Sequence, residues 1–430
     1  MPLDMKEELR LPSNGEEAGR PFHDQGDGNG VGLGQSAVDR ALMKWARMSV
    51  PGFVAALVTL AMLNVSPVMP LLRTELDLSN FQVSLVLAAT ILTHAVTQVP
   101  GGNLIDMWGS RKSLLLALGL VAFSTLAAGA SSSFALLLAA RALLGVGTGL
   151  SIICGLVLAR ELSNPGGERI GQGLYGAMLN VGTLLALVSA PIGISAGWRF
   201  TFVVEGVSIV VLLMLCALIL PSSLPSQHGA PAPWRDVLTN RGLYSLAAAQ
   251  AATYSLFVAL AAWAPSFLQH QYSIELGGAG MLSGWLTISA IAFRGAGGFV
   301  PVAHQRTVIL GSALAAAVLT FMLPLAPSPS MAAALLFLLG AAASLPFGAI
   351  YSMASTLCGP AAVGRGSGLV SGVSNLGAIL FPPLIGYSVD QTGDFLPGFW
   401  AVATAALFCT AYTASYLAKA ATRNQTVANK

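Results

Sequence analysis

Four ionisable side chains stand inside long apolar stretches of the sequence: His94, Arg141, Glu205 and Arg294. A charge held away from water is costly and by default marks a transport pathway or an internal pair. An arginine offers permanent positive charge and a planar fork of donors, which suits the oxygens of carboxylate, nitrate or phosphate. Arg294 lies in ISAIAFRGAGGFV, where small residues follow it. We therefore expect Arg294 to contact an anionic substrate; pairing with Glu205 or with backbone carbonyls is the alternative.

Neutral polar residues extend this candidate site. Gln98 precedes Arg294 by 196 residues, and His94 lies one helical turn before Gln98 on the same face. Asn180 and Asn375 occupy two similar glycine-rich segments, GLYGAMLNVG and GLVSGVSNLG. Together with Arg294, these four residues form the expected substrate-binding set. The alternative for the asparagines is that they hold neighbouring helices together by hydrogen bonds.

The elements that must position these residues are membrane helices. The chain has 430 residues, of which 55% are hydrophobic and 9% charged, and its mean hydropathy is +0.72. Soluble domains carry about 25% charged residues, so this composition excludes an ordinary soluble enzyme. A net charge of +3 with scattered basic residues argues against nucleic-acid binding. No nucleophile–base pair, metal-ligand spacing or phosphate loop is visible, so we predict no catalytic or metal site and no cofactor.

Twelve apolar segments have the length of about 20 residues that a helix needs to cross a bilayer. They predict an all-α membrane protein that contacts lipid and a small-molecule substrate, and we expect a monomer. The predicted spans are 50–71, 80–100, 113–131, 134–158, 170–193, 199–220, 242–268, 280–303, 307–327, 331–355, 366–389 and 397–419.

The distribution of lysine and arginine predicts the orientation. Most basic residues near the span ends fall on one side, and the other side holds only Arg73 and Arg199. Basic loops stay in the cytoplasm, so both termini are expected there, with the chain in the inner (plasma) membrane. The predicted domains are a disordered tail over 1–48, a six-helix bundle over 49–220, a cytosolic loop over 221–241, a second six-helix bundle over 242–420 and a tail over 421–430.

A sequence repeat relates the two predicted bundles. Five glycines and asparagines recur at an offset of 195 or 196 residues: Gly173, Asn180 and Gly182 as Gly368, Asn375 and Gly377, and Gly101 and Gly102 as Gly297 and Gly298. These matches pair the second span with the eighth and the fifth with the eleventh. Two parallel copies of six helices are the architecture of transporters that bind substrate between the halves.

The segment GGNLIDMWGSRKSLLLA resembles the signature G-x-L-a-D-x-x-G-x-[RK]-[RK] of the major facilitator superfamily. The matching positions are Gly102, Leu104, Asp106, Gly109, Arg111 and Lys112. RALLGVGTG, which contains Arg141, is similar to a second pattern of that family. The resemblance implies the two-bundle fold and a cytosolic gate, with Gly102, Asp106, Gly109, Arg111, Lys112 and Arg141 as gating or conformational residues. The corresponding loop in the second half, GGFVPVAHQRT, lacks the acid, so a second matching latch is not expected.

Within that family the chain resembles the nitrate/nitrite porter branch. There, two arginines face the anion; Arg294 matches one, and Gln98 stands where the other should be. The resemblance implies a secondary active transporter that moves a small, monovalent anion, inorganic or organic, by alternating access. The alternative is an exporter of drugs, metabolites or a metal ion driven by proton exchange. A transporter-like receptor or scaffold is a third reading.

Overall fold

The computed structural model describes residues 30–78, 80–164, 166–189, 196–221 and 233–428 of the chain. This part of the molecule is helical and contains no strand, which confirms the all-α prediction. The helices of five residues or more are α1 Gly30–Leu63, α2 Val65–Glu75, α3 Asn80–Trp108, α4 Ser110–Gly129, α5 Phe134–Glu161, α6 Glu168–Val188, α7 Trp198–Ile219, α8 Trp234–Leu238, α9 Arg241–Gln250, α10 Leu256–Tyr272, α11 Leu276–Ala296, α12 Gln305–Met322, α13 Pro329–Ser344, α14 Phe347–Cys358, α15 Val363–Thr392 and α16 Leu396–Ala428.

Ten helical stretches in the described ranges are long and apolar enough to cross a membrane. They correspond to ten of the twelve predicted spans. The remaining two predicted spans, 170–193 and 280–303, coincide with α6 and α11, which are helical but are not among those ten. Both helices carry glycines and polar side chains that lower their hydropathy, so the count of twelve spans stays a prediction.

Most of the predicted disordered tail over 1–48 lies outside the described residues, and α1 begins at Gly30. The sequence between Gln35 and Met48 contains no proline and is rich in good helix formers such as Ala, Leu, Met, Lys and Arg. Residues 1–29 lie outside the described residues. So does most of the predicted interdomain loop. Residues from Trp45 onward form one compact unit.

Two interruptions divide long helices at positions that matter for the site. The chain leaves regular helix at Asn64, between α1 and α2. A π-helical turn, Ala251–Ser255, joins α9 to α10, and such turns often occur at functional positions. Both interruptions free backbone groups that must find other partners inside the membrane.

The surface and the cores have the character expected of a protein in lipid. Large apolar side chains such as Phe123, Leu218 and Phe408 are more than half exposed on the helices. One buried cluster is built from α10, α11, α12, α13, α15 and α16, and another from α1, α3, α4, α5 and α7 together with Val363. A third cluster mixes the two ends of the sequence, for example Tyr175 of α6 with Phe347 of α14.

Two seams join the first and second halves of the sequence. We call them the α3–α15 seam and the α6–α11 seam. In the first, a methyl group at Gly102 would collide with the carbonyl oxygen of Gly364. In the second, a methyl group at Gly173 would lie 2.8 Å from the Cα of Gly298. Glycine is required on both seams because the backbones themselves are in contact.

Candidate substrate site and gate

Arg294 is buried between three helices, with 3% of its surface exposed. Its Nη1 lies 3.4 Å from the carbonyl oxygen of Gly176 and 3.5 Å from Oδ1 of Asn180, both on α6. The guanidinium carbon lies 4.5 Å from the centre of the Phe347 ring on α14, a cation–π contact. The alternative partner, Glu205, instead accepts a hydrogen bond from Asn64. Arg294 is thus held by an amide and a ring and has no acid as a partner in the described ranges.

Two buried donors in this pocket have no acceptor. Nε of Arg294 and Nδ2 of Asn180 are both inaccessible to solvent and make no hydrogen bond. The two bonds that Arg294 does make are long, at the limit of hydrogen-bond geometry. Leaving such donors unpaired costs about 1–3 kcal/mol for each group, and more for a charged one. The arrangement can therefore stabilise a ligand that carries acceptor oxygens and negative charge.

Aromatic side chains surround the guanidinium, and the sequence did not identify them. The side chains of Tyr175, Tyr254 and Tyr351 lie near Arg294, and Phe347 stacks against it. Tyr175 stands five residues before Asn180 in the same glycine-rich segment, which was an available signal. The other three come from α10's π-helical turn and from α14, whose proximity only the fold reveals.

The other three predicted substrate contacts form a hydrogen-bonded chain between the halves. Asn375 Nδ2 on α15 donates to Gln98 Oε1 on α3 at 2.7 Å. Gln98 Nε2 lies 2.9 Å from Nε2 of His94, and Nδ1 of His94 lies 3.0 Å from Oγ1 of Thr148 on α5. We call this set the His94 chain. It crosses the α3–α15 seam, and no hydrogen bond or ring contact of the described residues joins it to Arg294.

The structure thus groups the five predicted site residues into two pairs related by the sequence repeat. Arg294 of α11 contacts Asn180 of α6, and Gln98 of α3 contacts Asn375 of α15. Each pair bridges the two halves of the sequence. One pair carries a full positive charge and the other is neutral, which is the chemical asymmetry between the two sides.

Asp106 closes the α3–α15 seam at the end of the molecule that we call the Asp106 end. Its two carboxylate oxygens accept hydrogen bonds from the backbone N–H of Gly364 at 2.8 Å and of Arg365 at 3.0 Å. Those N–H groups belong to the first turn of α15, where they have no partner within the helix. Arg365 Nε also lies 3.8 Å from the carboxylate and donates to Asn103 Oδ1 at 2.9 Å. The positive end of the helix dipole adds to the attraction.

The remaining residues of the signature have other positions. Arg111 donates from Nη2 to the carbonyl of Ala217 at the end of α7 and does not contact Asp106. Lys112 is exposed. Gly109 has a φ of +83°, which permits the tight turn between α3 and α4. Among the predicted gating residues, Asp106 and Gly102 are the two that lie on a seam.

The second seam is closed without an acid. Arg169, at the start of α6, donates from Nη1 to the carbonyl oxygen of Val300. Arg169 lies 196 residues before Arg365, one residue away from the 195-residue register that relates α6 to α15. In this contact a neutral carbonyl takes the place that a carboxylate has in the α3–α15 seam.

Arg141 does not line the candidate site. It is fully buried on α5, and its Nη1 donates to the carbonyl of Ala61 at 3.1 Å and to Oδ1 of Asn64 at 3.0 Å. Nη2 donates to the carbonyl of Met62 at 2.6 Å. These carbonyls end α1 where the helix is interrupted. Asn64 in turn donates to Glu205, so one amide lies between the buried arginine and the buried acid. The sequence did not identify Asn64 as part of this network.

Comparison with known proteins places the chain in a family. The sequence profile described as Major Facilitator Superfamily matches residues 52–304 and 301–429. The nitrite extrusion protein of Bacillus subtilis is 25% identical over 362 residues, which cover 80% of this chain and 87% of that protein. The probable L-galactonate transporter of Escherichia coli is also 25% identical and covers 75% of this chain and 78% of its own length.

Solved structures agree with this assignment at the level of the fold. The human organic anion transporter MFSD10 superposes with a TM-score of 0.70 at 18% identity, covering 86% of this chain and 99% of that one. The proton:xylose symporter XylE superposes with a TM-score of 0.71 at 15% identity, covering 87% and 96%. The chain belongs to the Major Facilitator Superfamily and is a multi-pass membrane transporter, not an enzyme.

Proposed function

We propose that this transporter moves a small, monovalent anion by alternating access, with Arg294 as its central cationic contact. In this proposal the bundles over 49–220 and 242–420 rock against each other in the plasma membrane, with both termini in the cytoplasm. The halves meet at the two seams, of which the α3–α15 seam must separate at the Asp106 end, and the pair Arg294 and Asn180 binds the solute between the halves.

The observation that carries the proposal is the pair of buried donors without an acceptor, Arg294 Nε and Asn180 Nδ2. A buried guanidinium without an acid partner is stable only if something else supplies acceptors. An anion entering the pocket would satisfy both donors and neutralise the charge. A neutral or cationic solute would leave the charge of Arg294 uncompensated, which disfavours the efflux of cationic drugs or metal ions as the main activity.

The number of cations favours a monovalent solute. Gln98 occupies the position that is related by the repeat to Arg294, and it is neutral and bonded to Asn375. One fixed charge balances one negative charge, whereas a divalent anion would remain half compensated in a medium of low dielectric constant. Relatives whose names refer to nitrate, nitrite and galactonate support an anionic solute class.

The test is a thermal-unfolding measurement on the purified protein with nitrate, nitrite and L-galactonate as probes. An anion at ten times its dissociation constant should stabilise the protein by about 1.4 kcal/mol. Arg294→Ala should abolish this stabilisation. Arg306→Ala is the matched control because Arg306 is exposed at the start of α12, and it should respond as the unmodified protein does.

Counterflow of the stabilising anion in proteoliposomes then measures transport. We expect flux in the unmodified protein and in Arg306→Ala and none in Arg294→Ala. Equal anion stabilisation and equal flux in Arg294→Ala would contradict the proposal. So would stabilisation by a neutral sugar at the same concentration with no response to any of the three anions.

A further inference from the structure

The His94 chain has a single consistent direction of hydrogen bonds. Oγ1 of Thr148 lies 3.1 Å from the carbonyl of Gly145, which can only accept, so the hydroxyl proton points there. Thr148 Oγ1 must then accept from Nδ1–H of His94. The other imidazole nitrogen, Nε2, is left as an acceptor and takes a proton from the Gln98 amide.

The far end of the chain is fixed in the same way. Asn375 Nδ2 donates to the carbonyl oxygen of Ser371 at 2.9 Å as well as to Gln98 Oε1. Turning the Asn375 amide over would place its oxygen against the Ser371 carbonyl, two acceptors facing each other. Gly145 and Ser371 therefore fix the chain at both ends. With neutral His94, every donor atom in it has an acceptor.

One added proton breaks this balance. If Nε2 of His94 takes a proton from water, the imidazolium donates from both nitrogens, and the Gln98 amide can no longer donate to it. Gln98 must turn its Oε1 toward His94, which places two amide N–H groups, those of Gln98 and Asn375, against each other. The bond that is lost is the one that crosses the α3–α15 seam, because both ends of the chain are fixed by backbone carbonyls.

We propose that His94 is the proton-accepting residue of this transporter and that its protonation loosens the α3–α15 seam, so that proton binding is coupled to the opening of the Asp106 end. The inference rests on the proposed alternating-access function and names its coupling ion. The solute site at Arg294 and the proton site at His94 are separate side-chain clusters, each bridging one seam.

Among the described residues, the ring nitrogens of His94 contact neutral side chains, those of Thr148 and Gln98. α5 packs directly against His94: methyl groups at Gly145 and Gly149 would meet the His94 backbone. No charged side chain of the described residues bonds to the ring nitrogens. The charged residues on the helices packed around His94 are Asp106 on α3, Arg111 and Lys112 on α4, Arg141, Arg160 and Glu161 on α5, and Arg365 and Asp390 on α15.

The experiment measures the opening of the Asp106 end without any solute. Spin labels on Lys112→Cys and Arg306→Cys, both exposed and on different halves, report the distance by double electron–electron resonance. The four native cysteines are replaced in every variant. Between pH 8 and pH 4 the labelled protein should gain a population at longer distance, at least threefold larger at the lower pH.

Two variants test the mechanism by different routes. His94→Gln cannot titrate and should show the same distance distribution at both pH values. Gln98→Glu supplies a carboxylate that accepts from the imidazolium and from Asn375 together, so the chain stays balanced after protonation and the response should again be absent. His304→Gln is the control, because His304 is an exposed histidine near the label site and should leave the response intact.

Each outcome decides the inference. An unchanged distance distribution in the labelled parent overturns it, and so does a full response in His94→Gln. If Gln98→Glu fails to fold, His94→Gln against His304→Gln still decides. No anion is present in this experiment, so a negative result here does not bear on anion binding at Arg294. Equally, a negative result in the anion-binding test does not change the spin-label result.

Discussion

Replacing Asp106 separates the effect of its charge from that of its hydrogen bonds at the α3–α15 seam. Asp106 is almost fully buried and accepts two backbone N–H bonds from the first turn of α15. Hydrogen bonds to a charged group contribute about 1.5–3 kcal/mol each, and the helix dipole adds about 0.3–1 kcal/mol. The closed form of the Asp106 end should therefore depend strongly on this one side chain.

Asp106→Asn keeps one acceptor oxygen and loses the charge, so we expect the closed form to lose about 2 kcal/mol. Asp106→Ala removes both bonds and should cost about 4 kcal/mol. These values raise the ratio of open to closed molecules by about thirtyfold and about a thousandfold, at 1.4 kcal/mol for each factor of ten. The spin-label pair at positions 112 and 306 measures that ratio directly.

The matched control is Asp390→Asn, which removes an exposed carboxylate from the far end of the same helix, α15. It should leave the ratio of open to closed molecules unchanged. If Asp106→Ala gives a ratio no higher than that of Asp390→Asn, the carboxylate does not hold the seam and the reasoning is refuted. If the asparagine and alanine variants are equal, the charge alone is responsible, and the second hydrogen bond contributes nothing.

Two further predictions concern packing and buried charge. Gly102→Ala should favour the open form because its methyl group collides with α15. Gly119→Ala is the control, because its methyl group meets open space on α4 and should leave the ratio of open to closed molecules unchanged. The same spin-label distance measures both variants. Arg141→Leu should lower the free energy of unfolding by about 3–5 kcal/mol, because it leaves Glu205 buried without compensation. Adding Glu205→Gln to Arg141→Leu should recover part of that loss in thermal unfolding, and an equal or larger loss would contradict the pairing.

Much of the fold follows from the sequence because the membrane makes apolar length decisive. The twelve apolar runs locate the helices. The offset of 195 or 196 residues relates Gln98 to Arg294 and Asn180 to Asn375. The contacts Gln98–Asn375 and Arg294–Asn180 are therefore equivalent pairs. A repeat predicts such pairs because duplicated helices pack in duplicated ways.

The sequence does not predict the contacts that depend on packing between distant segments. Thr148 fixes the direction of the His94 chain, and Asn103 binds Arg365 from 262 residues away. Both are ordinary polar residues within helices, and only the geometry of the folded chain distinguishes them from their neighbours. Asn64 is similar: the break after α1 exposes carbonyls that Arg141 satisfies, and hydropathy does not mark a single-residue break.

The two seams differ in a way that sets the order of opening. The α3–α15 seam depends on a full negative charge, whereas the α6–α11 seam is closed by glycine backbones and by Arg169 on a neutral carbonyl. Removing that one charge weakens the first seam and leaves the contacts of the second unchanged. We therefore expect the halves to hinge about the α6–α11 seam while the α3–α15 seam opens. The solute would then enter or leave the Asp106 end along one edge, between α3 and α15, instead of through a symmetric central opening.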